Sequence, residues 1–277
     1  MSDLTLPPRF AVFGQPITHS LSPRIHRHFA QGLGIALDYQ AIEATPELFP
    51  ATLARFASQG GIGANVTLPL KEQAATLCLE LSPAARRSGA VNTLVRRDDG
   101  WFGDNTDGSG LVRDLEAHLG LALAQRQVLL LGAGGAARGV VSALFEAGIA
   151  ELVVANRSIE RARALAHDLA ACGPIQVCDW QELDQAGAFD LVLNATSAAR
   201  QGVVLALPAS LLGADACAYD LSYGDSARPF LEWATQHGAG RASDGLGMLV
   251  EQAAQAFLIW HGLRPDSAAT LTWLREQ

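Results

Sequence analysis

Short apolar runs alternate with amphipathic stretches along most of this chain, a pattern that predicts an α/β architecture built on parallel strands. Arg9 to Gly14 reads as the first strand. Pro23 to Leu33 reads as a helix with proline in its first turn and Ser22 as its cap. Leu37 to Glu43 and Ile62 to Val66 read as strands, Pro46 to Ser58 as a helix, and Pro69 opens another. Val91 to Val95 and Trp101 to Phe102 read as a hairpin turned at Asp99-Gly100. Thr106 to His118 is expected to be helical and to lead into a second alternating block.

That block begins at Gln127. Its expected strands are Val128 to Leu131, Leu152 to Ala155, Ile175 to Val177, Leu191 to Leu193 and Ala216 to Asp220. Helices are expected over Ala136 to Ala147 and Ile159 to Ala171. Near the end, Leu249, Val250, Ala253, Ala254, Phe257 and Leu258 recur at helical spacing and predict a helix with one buried face. Because the second block is complete by about residue 244, the closing helices are assigned back to the first. Two domains follow, residues 1–107 with 245–277 and residues 108–244.

Composition narrows the class. The chain has 277 residues, 49% of them hydrophobic and 17% charged, which supplies buried cores and excludes a disordered protein. The net charge of -8, with no dense basic run, argues against nucleic acid or an anionic membrane surface as a partner. The opening MSDLTLPPRF lacks the charged start and apolar block of a secretory signal. No apolar run reaches the roughly 18 residues of a spanning helix. Cys78, Cys172, Cys178 and Cys217 form no C-x-x-C pair and read as reduced, partly buried thiols. A cytoplasmic enzyme acting on a small molecule fits these properties, as a monomer or homodimer. His26 and His28, two apart on a helix, do not share a face. They read as surface histidines, and no metal is expected.

One loop carries specific chemistry. The strand QVLLL runs into Gly132, Ala133, Gly134, Gly135, Ala136 and Ala137, which fits G-x-G-x-x-A between strand and helix. Gly132 permits the turn, Gly134 lets a pyrophosphate reach the backbone, and Ala137 lets helix and strand pack closely. The helix N-terminus offers N–H groups and partial positive charge to phosphate. The next strand ends in Asn156, Arg157 and Ser158, where an NAD site usually has an acidic residue. Arg157, with Arg161 one turn on, suits a 2′-phosphate instead, so NADP is the expected cofactor. Exposed arginines at a helix start are the plainer alternative.

In the first block, Asn65 and Thr67 end an apolar strand and Lys71 follows in a helix start; far along the chain comes GDNTDG with Asp104 and Asp107. A ketone reduced by hydride needs a proton donor, and a lysine oriented by a carboxylate can serve. Singly, a surface Lys71 and helix-capping aspartates explain these residues as well.

The motifs together change that balance. Ser20-Leu21-Ser22-Pro23, the run NVTLPLK, Gly89-Ala90-Val91-Asn92-Thr93, GDNTDG, GAGGAA followed by NR, and Asp244-Gly245-Leu246-Gly247-Met248-Leu249 occur in one order over nearly the whole chain. In this the sequence resembles the shikimate dehydrogenase family. The resemblance implies a substrate domain and a Rossmann-type NADP domain, and the reduction of 3-dehydroshikimate to shikimate. It implies Lys71 as general acid/base with Asp107 as partner. Ser20, Ser22 and Tyr223 would hold the substrate carboxylate, and Asn65, Thr67, Asn92 and Gln252 its hydroxyl and carbonyl region. Thr196, Leu221, Gly245 and Met248 would join the cofactor side. Two departures fall there: after Asn194-Ala195-Thr196-Ser197 the usual glycine is replaced by Ala198-Ala199-Arg200-Gln201, and Leu221 stands where methionine is common. A quinate/shikimate dehydrogenase with wider substrate or cofactor use is the alternative within the superfamily. A silent NADP-binding regulator is the alternative outside enzymes, and it has no need of Lys71 with Asp107.

If Arg157 reads the 2′-phosphate, Arg157→Asp shifts cofactor preference from NADP toward NAD, measured as the ratio of kcat/KM for the two. Equal or better use of NADP by the variant contradicts the assignment.

Overall fold

A computed structural model of the chain describes residues 7–199 and 202–277. Contacts divide it into two compact units: the chain up to Thr106 together with Leu249–Gln277, and Asp107–Met248.

The first unit is built on β1 (Arg9–Gly14), α1 (Ser22–Leu33), β2 (Asp38–Glu43), α2 (Phe49–Ser58), β3 (Gly61–Val66), α3 (Lys71–Thr76), β4 (Glu80–Leu81), α4 (Pro83–Ser88), β5 (Thr93–Arg97) and β6 (Gly100–Asp104). Its sheet has the order β2-β1-β3-β5-β6-β4. β1 pairs parallel with both β2 and β3. β5 and β6 form the antiparallel hairpin expected at Asp99-Gly100. Alternation sorts β1 between two cores. Ala11 and Phe13 pack with Phe49, Phe56, Leu70 and Leu94, whereas Phe10 and Val12 pack with Tyr39 and the Trp260 indole. That division follows from the period of two in an extended chain.

The second unit contains α5 (Asp107–Arg113), continued by a π turn over Asp114–His118, then β7 (Gln127–Leu131), α6 (Gly135–Glu146), β8 (Glu151–Asn156), α7 (Ile159–Asp168), β9 (Ile175–Asp179), β10 (Phe189–Asn194), β11 (Leu212–Asp220), α8 (Arg228–Gln236) and β12 (Arg241–Ser243). Every strand pair in its sheet is parallel, and the order is β12-β11-β10-β7-β8-β9. This is the doubly wound order, with the topological switch between β7 and β10, where such sheets bind ligands. β7 is buried on both faces: Val128 and Leu130 enter one core, Leu129 and Leu131 the other. A strand covered twice has no polar face to show, which is why Val128 to Leu131 is continuously apolar. The chain closes with α9 (Leu246–His261) and α10 (Ser267–Arg275). From Leu249 onward α9 belongs to the first unit, where Trp260 Nε1 donates to the Leu94 carbonyl at 3.0 Å.

Several expectations need correction. Ser22 does not cap α1 but opens it: the cap position is Leu21, and no side chain caps there. Lys71, not Pro69, begins α3. β4, α4, α8 and β12 had no counterpart in the sequence reading. β4 and β12 are too short to show a period, while α8 buries Phe230, Trp233 and Ala234 at helical spacing. Among the described residues, no helix is long and apolar enough to cross a membrane.

Candidate active site

In the first unit β1 and β3 run parallel, and β6 runs antiparallel to β5, which is itself antiparallel to β3. The carboxyl ends of β1, β3 and β6 and the start of β5 therefore share one edge of the sheet. The polar motifs follow these ends. Ser20 and Ser22 lie past β1, and the Ser22 amide donates to Ser20 Oγ at 3.3 Å. Thr67 follows β3, with its backbone N–H bonded to the Phe13 carbonyl at 2.8 Å. Gly14 makes room for it, since a Cβ there would stand 2.5 Å from Thr67 Cγ2. Lys71 begins the next helix, half-buried, and its carbonyl accepts the Val91 N–H at 2.9 Å. That bond holds the lysine's backbone beside Asn92.

Asn92 is 2% exposed. Its Oδ1 accepts the Thr106 N–H at 2.9 Å and the Thr93 hydroxyl at 2.9 Å. Its Nδ2 donates to Thr106 Oγ1 at 3.0 Å and to Gln252 Oε1 at 3.3 Å. Asn92, Gln252 and the GDNT segment, 160 residues apart at the extremes, thus share one network. Asn65 joins from behind, donating to the Asn92 carbonyl at 3.2 Å and to Thr93 Oγ1 at 3.3 Å. Its own Oδ1 accepts Tyr39 Oη at 2.7 Å and His26 Nε2 at 3.1 Å. Both lone pairs and both amide protons are therefore engaged. Through these bonds Asn65 braces Asn92 and Thr93.

The sequence reading missed what supports Asn65. Tyr39 and His26 are both 0% exposed, and their rings stack at 4.4 Å. Tyr39 also shares a hydrogen bond with the Ser22 side chain. His26 is accordingly not a surface histidine. Burial holds its imidazole down at about 3, against the ordinary 6.5, and its Nδ1 has no hydrogen-bond partner among the described residues. A neutral ring with its proton on Nε2, donated to Asn65, accounts for both facts. Tyr39 was legible only as one apolar position in a strand, and His26 only as one residue of a polar-looking helix start.

The second unit holds the glycine loop. Gly132 has φ +108°, and a Cβ there would stand 3.0 Å from the Ala195 carbonyl group, so both conformation and space demand glycine. Ala133 is buried. Gly134 caps α6, and a Cβ on it would meet nothing within 4 Å, leaving its backbone open to a ligand. Gly135 and Ala136 form the first turn of α6, and Ala137 is fully buried against the sheet. At the end of β8, Asn156 Nδ2 donates to the Ser158 carbonyl at 2.9 Å. Arg157 and Arg161 are exposed, and neither pairs with a carboxylate among the described residues. Arg138, in the first turns of α6, is tied to Asp168 at 2.9 Å. Free guanidinium forks next to an open helix N-terminus suit a 2′-phosphate and a pyrophosphate.

The remaining positions also lie in the second unit. Asp107 begins α5 and is 4% exposed. Thr196 follows β10, Leu221 follows β11, and Tyr223 is half-buried just before a short 3-10 turn. Gly245 packs on the Leu221 carbonyl, 2.5 Å from where its Cβ would be. The buried Met248 amide donates to Tyr219 Oη at 3.3 Å. Of the unusual loop, Arg200 and Gln201 lie outside the described residues, so that departure is not placed.

Residues 12–94 match the shikimate dehydrogenase substrate binding domain, 115–205 the shikimate / quinate 5-dehydrogenase domain, and 245–271 the shikimate 5'-dehydrogenase C-terminal domain. The chain is 56% identical to a shikimate dehydrogenase (NADP(+)) of Xanthomonas campestris pv. campestris over 96% of its own length and 95% of that protein's. It is similar to an Ael1 enzyme from Pseudomonas putida, at 44% identity and TM-score 0.89, covering 96% of this chain and 97% of that one. It is also similar to a Thermus thermophilus shikimate 5-dehydrogenase solved with NADP(H) and shikimate, at 37% identity and TM-score 0.83, covering 97% and 98%.

The buried imidazole generates a prediction about pH. A base whose folded value lies below its unfolded one stabilises the fold fully above 6.5, and that contribution is lost as pH falls toward about 3, because the unfolded chain takes up the proton first. His26→Gln should therefore be less stable at neutral pH, yet its unfolding free energy should fall less steeply with acid. The difference in slope is about 1.4 kcal/mol per pH unit below pH 6. Parallel denaturation curves at several pH values check this, and equal slopes contradict it.

Proposed function

The chain belongs to the shikimate dehydrogenase family, and on that premise we propose that it catalyses the reversible reduction of 3-dehydroshikimate to shikimate with NADPH. The observation that carries the reading is the pairing of two sites in one chain. A buried frame of Asn92, Thr106 and Gln252 stands at a sheet edge beside Lys71, and a glycine loop follows β7, whose paired neighbour β8 leads into two exposed arginines. The unit bearing Lys71 is read as the substrate domain and the unit bearing Gly132 as the NADP domain. Residues 1–107 with 245–277 and 108–244 remain the proposed limits.

NADPH, when bound, supplies the hydride. The open backbone at Gly134, with Gly135 and Ala136, is proposed to hold its pyrophosphate, and Arg157 and Arg161 its 2′-phosphate, with Asn156 and Ser158 shaping that turn. Thr196, Leu221, Gly245 and Met248 are proposed for the nicotinamide side. Ser20 and Ser22 offer two hydroxyls to the substrate carboxylate, with Tyr223 as a third donor. Thr67, Asn92 and Gln252 read the ring hydroxyls, and a site with several fixed polar groups rejects analogues that leave them unpaired. Lys71 holds the proton that passes to the substrate oxygen, and its ammonium offsets the charge that builds there. Asp107 orients that ammonium. A substrate of this class is a small soluble acid. Four cysteines outside any disulfide suit a reducing compartment, which supports placing the enzyme in the cytoplasm.

A steady-state assay with shikimate and NADP+, followed at the nicotinamide absorbance band, tests the reading. The unaltered protein should reduce NADP+. Lys71→Ala should lower kcat by about 10²- to 10⁴-fold while keeping its thermal unfolding midpoint. No reduction by the unaltered protein overturns the function, and near-normal turnover by the variant overturns the role of Lys71.

A further inference from the structure

Two strands end at the carboxyl edge of the second unit's sheet with facing polar side chains. Asn194 closes β10 and Asp220 closes β11, in register with each other, and both are nearly fully buried. Asn194 Nδ2 donates to Asp220 Oδ2 at 2.6 Å. Outward from this bond, Asn194 Oδ1 accepts the Thr196 N–H at 3.1 Å and its hydroxyl at 2.8 Å. On the other side, Asp220 Oδ1 accepts the Ser222 N–H at 2.7 Å. The Leu221 N–H returns to the Asn194 carbonyl at 2.9 Å, and the Gly245 N–H to the Ser222 carbonyl at 2.8 Å. One chain of hydrogen bonds therefore joins the loops that carry Thr196, Leu221, Tyr223 and Gly245.

The chain has a fixed logic. Both outer partners are backbone N–H donors, so the outer oxygens of residues 194 and 220 must accept. The two inner groups then face each other, and one must donate while the other accepts. One amide with one ionised carboxylate satisfies this, in either order. Two amides oppose NH2 to NH2, and two carboxylates oppose oxygen to oxygen unless they share a proton.

We propose that Asp220 and Asn194 are positioning residues for hydride transfer, an amide–carboxylate pair that aligns the two loops of the nicotinamide half-site. The proposal rests on the functional reading above. Neither residue needs to touch a ligand; they act through Thr196 and through the 221–223 segment. The carboxylate faces Asn194 from β10, Ser222 from its own strand end, and the like charge of Asp244 from the segment before α9. Burial, with Asp244, raises its titration to about 6, so the ionised form that the pair requires is lost as pH falls through that value.

The test uses the full chain and four variants in the shikimate and NADP+ assay. Asp220→Asn should lower kcat at least about tenfold, because misplacing reacting groups acts on the chemical step. It should leave the inhibition constant of adenosine 2′,5′-bisphosphate within about twofold, since the adenosine end of the cofactor binds far from the nicotinamide. The double variant N194D/D220N restores every donor and acceptor with the pair reversed, and should recover at least about a third of the kcat. Asn194→Asp alone sets two carboxylates face to face, and its kcat, relative to the unaltered enzyme, should rise as pH is lowered from about 8 to 6. Asp220→Ala, like Asp220→Asn, should not be rescued by acid. Full kcat in Asp220→Asn, or a double variant as impaired as the single one, overturns the proposal. Should Asp220→Asn fail to fold, a pH profile of Asn194→Asp parallel to the unaltered one overturns it alone. An unaltered protein with no shikimate turnover overturns the functional reading and this proposal together, whereas a working enzyme indifferent to the pair overturns the pair only.

Discussion

One buried amide holds the substrate half of this molecule together. Asn92 bonds its own strand neighbour Thr93, the Thr106 backbone and hydroxyl, and Gln252 from the last third of the chain. Its backbone carbonyl accepts Asn65 and its N–H reaches the Asp104 carbonyl. Few side chains other than an amide could do this, because the site asks for two acceptor and two donor directions from one group. Each partner is buried, so losing the amide strands several polar atoms away from water, at about 1–3 kcal/mol apiece. The proposed hydroxyl ligands are therefore fixed by the same bonds that fix the fold.

The same rule works in the second unit with different chemistry. β8, β10 and β11 stop at the polar Asn156, Asn194 and Asp220 on the carboxyl edge, and glycine appears at two close backbone approaches there. Gly132 admits the Ala195 carbonyl, and Gly245 admits that of Leu221. Asn194 and Asp220 then play for the nucleotide loops the part that Asn92 plays for the substrate loops. Rigid strands supply the precision, and short loops supply the contacts.

Much of this was legible in the residues. The parallel α/β class followed from the alternation of strands and helices, and the glycine loop from its place between QVLLL and a helix. The proposed ligands were marked by polar residues closing apolar strands. What stayed hidden was mostly the second layer. Asn65 had the same signature as Thr67, a polar side chain at a strand end, and its bonds to Tyr39, His26, Asn92 and Thr93 emerge only from the fold. His26 reads as polar surface because polarity alone does not reveal a stacked, neutral imidazole. The Asn194–Asp220 pair escaped notice because 26 residues separate its members and neither breaks a local pattern. Short elements such as β4 and β12 carry too few residues to show any period.

The central claim is that the first unit preforms a shikimate site through Asn92, independently of the nucleotide. Calorimetric titration of shikimate, and separately of NADP+, into the unaltered protein and Asn92→Ala tests it most directly. Shikimate affinity should fall at least about tenfold in the variant while NADP+ affinity stays within about twofold. Undiminished shikimate binding by the variant, or an equal loss for both ligands, would contradict the account.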